Sequence, residues 1–167
     1  RTEKTVDLEA VAAGGTTLSF GPAAGGPQVL IMHTHGTESF ARDGTEPYTE
    51  TGTAHTTDTS YNIIRVGEEI ARIFDEMGIS VLHDTEIYDY PSYNGAYDRS
   101  RGGIEEILEK YPTIRMILDL HRDASGDLDN QMRTHAKVNG KDCAQLMVVI
   151  GTNATRKHPN WEENLAL

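Results

Sequence analysis

Cysteine is nearly absent. Cys143 stands alone among 167 residues, so no disulfide can close within the chain and no cysteine-rich zinc module can form. Long apolar runs are missing as well. None approaches the ~18 residues that a membrane helix needs, and the opening R-T-E-K carries no apolar core of a signal peptide. Positive charge is scarce. Lys and Arg number 15 against 26 Asp and Glu, a formal net charge of −11, which argues against nucleic acid as a partner and against adhesion of this chain to an anionic membrane. Three motifs are missing too: the G-x-S-x-G elbow of serine hydrolases, the P-loop, and the dinucleotide-binding G-x-G-x-x-G. Acidic residues abound, yet no spacing singles out a glycosidase-type carboxylate pair.

What is present suits one domain with a real core: 37% of residues are hydrophobic and 25% charged. Residues 1–28, rich in Gly, Ala and Thr, read as a lead-in or linker, with T-T-L-S-F a candidate short strand. Residues 29–167 read as the functional domain. Val29–Met32 is a short continuous apolar run, the pattern of a strand covered on both faces. A polar loop of about 25 residues, Gly36–Ser60, follows it. Ile63, Val66, Ile70, Phe74 and Met77 recur at helical spacing and predict a helix over Tyr61–Met77, with Asp58, Thr59 or Ser60 as its cap and Gly78 past its end. Ile79–Leu82 predicts the next strand, Tyr97–Lys110 the next helix, and Ile114–Leu120 a further buried strand. Met132–Val138 alternates like a half-exposed strand, Asn139-Gly140 signals a hairpin turn, and Gln145–Ile150 is expected to return. A helix is expected from about Pro159. E-N-L-A-L closes the chain like the start of a helix, so both ends are expected to be boundaries within a longer protein.

Strands alternating with helices imply an α/β fold: a mainly parallel central sheet flanked by helices, with a C-terminal hairpin. In such sheets the site lies beyond the carboxyl ends of the strands. His33 and His35 follow the first strand and His121 follows the third, so a parallel sheet would bring all three to one edge.

A catalytic zinc site takes three protein ligands and keeps one position open. With one cysteine, the ligands here must be His, Asp or Glu. His33, His35, Glu38, His55, Asp58 and His121 are the candidates. Each has a plainer reading. On the plain view only one of His33 and His35 is a ligand and the other packs or supports it. Asp58 is by default a helix cap. His121 beside Arg122 and Asp123 forms a surface ion-pair cluster on the plain view, and His55 is a loop residue. His83 ends a strand with no other candidate beside it, and Cys143 reads as a packed or incidental thiol.

V-L-I-M-H-T-H-G-T-E-S-F, Y-N-I-I-R-V-G-E-E-I, G-I-S-V-L-H-D, Y-D-R-S-R and I-L-D-L-H-R-D together resemble the stage II sporulation protein P family, from about Val29 to the C-terminus. That family is similar to the zinc-dependent N-acetylmuramoyl-L-alanine amidases and acts as a cell-wall hydrolase in engulfment during sporulation. The resemblance implies an amidase-like domain that cleaves the amide between N-acetylmuramic acid and the stem peptide, with stem-peptide crosslinks as a second target. It implies Zn²⁺ held by His35, Asp58 and His121, with Glu38 and His55 in reserve for the middle position. His33, Arg122, Asp123 and Arg133 fall to orienting or substrate-contacting roles. The amidases' general-base Glu has no match here and is expected beyond Leu167, which leaves no catalytic residue in this chain. The implied partners are peptidoglycan and the stage II sporulation protein D transglycosylase. The implied location is extracytoplasmic, anchored at the septal or engulfing membrane through the full-length protein. The alternative is a non-catalytic module that binds peptidoglycan or a partner without cutting.

Overall fold

A computed structural model of the chain describes residues 7–15, 18–21, 25–40, 54–126, 131–132, 134–151 and 161–166. The elements in chain order are α1 (Leu8–Gly14), β1 (Val29–Met32), α2 (Ile63–Glu76), β2 (Val81–His83), α3 (Ala96–Lys110), β3 (Met116–Asp119), β4 (Ser125–Gly126), β5 (Gln131–Met132), β6 (His135–Val138), β7 (Lys141–Ala144) and α4 (Trp161–Leu165). They form two compact units, one of residues Phe20–Asp123 and one of Arg1–Ser19 with Ala124–Leu167. The stretch expected as a lead-in therefore carries a helix, α1, and T-T-L-S-F forms no strand among its described residues.

The unit of residues 20–123 is built on a three-stranded parallel sheet in the order β2-β1-β3. β1 is central because it is apolar throughout. Val29, Leu30, Ile31 and Met32 are buried to the last atom or nearly so, and burying each such side chain contributes roughly 1.5–3 kcal/mol. Its register is Leu30 against Leu82 on one side and against Ile117 on the other. The ladder runs on past the strands: Asp84 N donates to Ile31 O at 2.8 Å and Leu120 N to Met32 O at 2.9 Å. The residues after β1, β2 and β3 thus emerge at one edge, the carboxyl edge.

α2 packs on β1 and β2, but its phase differs from the expected stripe. Ile63, Ile64 and Gly67 face inward, while Val66 and Met77 are exposed. A glycine reads as a gap in an apolar pattern, which shifted the predicted face. The cap also differs. Asn62, not Asp58, Thr59 or Ser60, sits in extended backbone (φ −117°) and accepts from the Ile64 amide. Its Nδ2 also donates to Thr56 O at 3.0 Å, so one side chain ties the helix start to the preceding loop. Gly78 ends the helix at φ +77°, as a C′ glycine should. α3 begins one residue earlier than expected and stops at Lys110, before Pro112.

In the other unit, β4 pairs with β5 and β6 with β7, both antiparallel. Asn139 (φ +51°) and Gly140 (φ +77°) make a two-residue turn. That turn fixes Val138 opposite Lys141, so the return strand is Lys141–Ala144 and not Gln145–Ile150. Leu146, Met147, Val148 and Val149 are exposed, and so is Cys143, contrary to a packed thiol. Trp161 on α4 is buried.

Candidate functional site

The carboxyl edge of the parallel sheet carries the histidines. After β1 the chain turns sharply, and His33, Thr34, His35, Thr37, Glu38 and Ser39 are all buried despite their polarity. Buried polar groups need partners, and the partners come from the ends of β2 and β3 and from the β2–α3 connection.

His35 and His121 come together, with ring centroids 5.4 Å apart. Tyr93 stacks on His35 at 4.2 Å and 10°, and Tyr97 meets the same ring edge-on at 5.3 Å. Tyr97 also lies over His121 at 6.3 Å. One short segment, the end of the β2–α3 connection and the first turn of α3, thereby confines both imidazoles. Burial, and after it the nearby Asp119 carboxylate, pushes the Tyr97 hydroxyl above its ordinary value.

Carboxylates bracket His121. Its Nε2 lies 3.1 Å from Asp119 Oδ2 and its Nδ1 3.7 Å from Glu38 Oε2. The bond to Asp119, then that to Glu38, raises the imidazole to about 10 against the opposing effect of burial. Burial alone would push Asp119 up; hydrogen bonds from His121 and Thr34 outweigh it and hold the carboxyl below its usual range. Asp119 is fixed from the first strand end: Thr34 N donates to Oδ1 at 2.8 Å and Thr34 Oγ1 to Oδ2 at 2.7 Å. Ser100 of α3 shares a hydrogen bond with the same hydroxyl at 2.9 Å.

Glu38 is held by Arg122. The Arg122 amide donates to Glu38 Oε2 at 2.6 Å, and its guanidinium grips Ser39 O and Ala54 O at 2.8 and 3.0 Å. Glu38 O accepts from the Ile63 amide at 2.7 Å, stapling this turn to the start of α2.

His33 faces elsewhere. Its Nε2 is 2.8 Å from His83 Nε2, and its Nδ1 is 3.3 Å from Leu120 O. The carbonyl can only accept, so His33 donates from Nδ1, and His83 must then donate to His33 Nε2. His83, expected to stand apart, is thus the partner of His33. Burial, with His83 as a second cause, lowers His33 to about 4, and burial lowers His83 as well.

The other expected residues are placed as follows. Asp58 is exposed, and its Oδ1 turns back to accept from the Ser60 amide at 3.0 Å, the behaviour of an Asp in a turn. His55 is half-buried, pairs through its backbone with Glu38, and has its ring 6.3 Å from Tyr93. Asp123 is exposed. Arg133 and residues 41–53 of the long loop lie outside the described residues. Asp119, Asp89, Tyr93, Tyr97 and Thr34 were not singled out by sequence. Asp119 had a signal, since a residue two before His121 on a strand shares its face; the rest had none.

Among the described residues no three His, Cys, Asp or Glu side chains surround one point as ligands. The donor chemistry nevertheless fits a divalent cation of the zinc type. Two imidazoles and a buried carboxylate adjoin, and Asp119 and Glu38 beside His121 favour positive charge there.

The sequence model of the family described as Stage II sporulation protein P matches residues 4–167. The Stage II sporulation protein P of Bacillus subtilis (strain 168) is 29% identical over 145 residues, which is 81% of this chain and 33% of that protein. The chain therefore spans about a third of the length of the curated relative it matches. No solved structure matches it. No helix among the described residues is long and apolar enough to cross a membrane.

Proposed function

The chain belongs to the stage II sporulation protein P family, a membership that points to a role in sporulation, and on that premise we propose that it forms the zinc-holding part of a peptidoglycan hydrolase. The bond cleaved is the amide between N-acetylmuramic acid and the stem peptide, with stem-peptide crosslinks as the second bond class. The observation that carries this reading is that His121 approaches both His35 and the buried Glu38 carboxylate at the carboxyl edge of a parallel sheet. These three are the residues that would hold zinc. Glu38 takes the middle place first given to Asp58, because its carboxylate faces His121 and Asp58's is spent on its own turn. Zinc, when bound, supplies a Lewis acid for a scissile carbonyl and lowers the pKa of a water toward about 7.

The remaining roles fall to residues that hold the donors. Asp119 orients His121, Arg122 orients Glu38, and Tyr93 and Tyr97 limit ring rotation and exclude water from one side. The stage II sporulation protein D transglycosylase as partner, and action at the engulfing membrane, belong to the same proposal for the whole protein. A second reading, a wall-binding module that does not cut, draws on Tyr93 and Tyr97, which expose more than half of their surface against the same histidines.

The test incubates purified peptidoglycan with the full-length protein, with and without zinc, and weighs the products. Zinc-dependent release that His35→Ala and His121→Ala both lose is the expected result, and fragment mass separates amidase from endopeptidase. Cleavage retained by either variant would sink the assignment. Binding to the wall with no new amine ends would put the module reading first.

A further inference from the structure

We propose that Asp89 is a positioning residue that sets the ring tautomer of His35, keeping its proton on Nδ1 and leaving Nε2 as the bare lone-pair nitrogen. Its use in the protein rests on the reading of His35 as a ligand; its geometry does not. Asp89 is buried, and Thr37 fixes both of its oxygens: the Thr37 amide donates to Oδ1 at 3.1 Å and the hydroxyl to Oδ2 at 2.6 Å. Oδ2 then stands 3.7 Å from His35 Nδ1. That nitrogen is buried and, among the described residues, has no hydrogen-bond partner.

A carboxylate only accepts. A bare Nδ1 facing it would oppose two lone pairs, and a buried nitrogen left without a partner is destabilising. A proton on Nδ1 turns the same contact into an N–H aimed at an anion and lets the pair close to hydrogen-bond distance. The neutral ring carries one N–H, so Nε2 is then unprotonated, which is the form a metal takes. Neither group drifts freely. Tyr93 stacks on the ring, and Arg99 holds the segment that carries both Asp89 and Tyr93. Its Nε donates to Tyr88 O at 2.6 Å, Nη1 to Asn94 O at 3.2 Å, and Nη2 to Ser92 O. Arg99 belongs to the Y-D-R-S-R stretch that the sequence marks without a role.

The test is two-bond ¹H–¹⁵N NMR of the histidine rings in the metal-free intact chain, with His35 assigned by His35→Gln. Wild type is expected to show the Nδ1–H form. Asp89→Asn keeps the shape and the Thr37 amide contact at Oδ1, while its amide nitrogen in the place of Oδ2 donates to the Thr37 hydroxyl and to Nδ1, so the ring should switch to Nε2–H. Zinc affinity should fall roughly 10–100-fold with it. Arg99→Ala, which leaves the Asp89 carboxylate in place but frees its loop, should give a mixture of tautomers. An Nε2–H ring in wild type, or an unchanged ring in Asp89→Asn, overturns the inference. Wild type that shows Nδ1–H yet takes up no zinc supports the role of Asp89 and strikes the metal reading alone.

Discussion

Replacing Gly67 by alanine should destabilise the protein, although helix propensity says the reverse. In an open helix interior, Gly→Ala gains about 1 kcal/mol. Gly67, however, lies on the inner face of α2, and a Cβ there would stand 2.5 Å from His83 Nε2, 2.7 Å from His33 Nε2 and 2.8 Å from His33 Cε1. His33 is wholly buried and tied to the Leu120 carbonyl, so it cannot swing aside without abandoning that bond. His83 is half-buried and must yield, breaking the 2.8 Å contact between the rings. Overpacking of this kind costs roughly 1–3 kcal/mol, and a buried ring nitrogen left without its partner costs about 1–3 kcal/mol more. After the propensity gain the net loss is about 1–5 kcal/mol. Urea unfolding followed by far-UV circular dichroism measures it, provided the slope is unchanged. Adding His83→Ala to Gly67→Ala removes the nearest obstacle and should show a favourable coupling of about 1 kcal/mol. A Gly67→Ala variant as stable as the parent, or more so, would refute the packing argument.

Stability should fall in acid. Burial lowers His33 from 6.5 to about 4, so below pH 6.5 the unfolded chain binds the proton first, and stability is lost as pH falls toward 4, on the order of 3 kcal/mol in all; His33→Asn should flatten that part of a pH series of urea melts. Zinc uptake should release a proton. His121, raised to about 10 by Asp119 and Glu38, is protonated at pH 7–9 and must give up that proton to ligate, so affinity should climb by about tenfold per pH unit over that range; calorimetry in buffers of different ionisation enthalpy reads it, and zinc uptake without proton release would contradict the placement of His121. Glu38→Gln should weaken zinc by more than the roughly 10–100-fold of an outer-shell loss, whereas Asp58→Asn should leave zinc loading unchanged; the reverse order would return the middle position to Asp58.

The strand that anchors the sheet was legible because β1 is buried on both faces and reads as four apolar residues in a row. The carboxyl-edge placement of His35 and His121 followed from alternation of strands and helices alone. The phase of α2 was not legible, since Gly67 faces inward to make room for two rings, His33 just past β1 and His83 on β2. The partnership of His33 with His83 hid for the same reason: it joins residues 50 positions apart. Asp89 gave no sign at all, because a lone Asp in a Tyr-rich loop looks like any turn former. The hairpin turn was readable from Asn139-Gly140, but its tightness, which decides where the return strand starts, depends on dihedral angles and not on the apolar run that follows.

The two histidine motifs are specific in combination because each braces the other's donor. Thr34, from H-T-H, spends its amide and its hydroxyl on Asp119, which lies two residues before His121 and holds that ring. Arg122, from D-L-H-R-D, spends its amide on Glu38 and its guanidinium on the turn around it. Neither motif can present its own donors unaided. An isolated H-x-H or D-L-H therefore says little, and the pair says much, since a parallel register that sets Met32 against Asp119 is what brings brace and donor within reach. The site is in this sense a property of the sheet edge. The candidate ligands sit in two short motifs, while the contacts that fix their geometry cross from strand to strand and cannot be read along the chain.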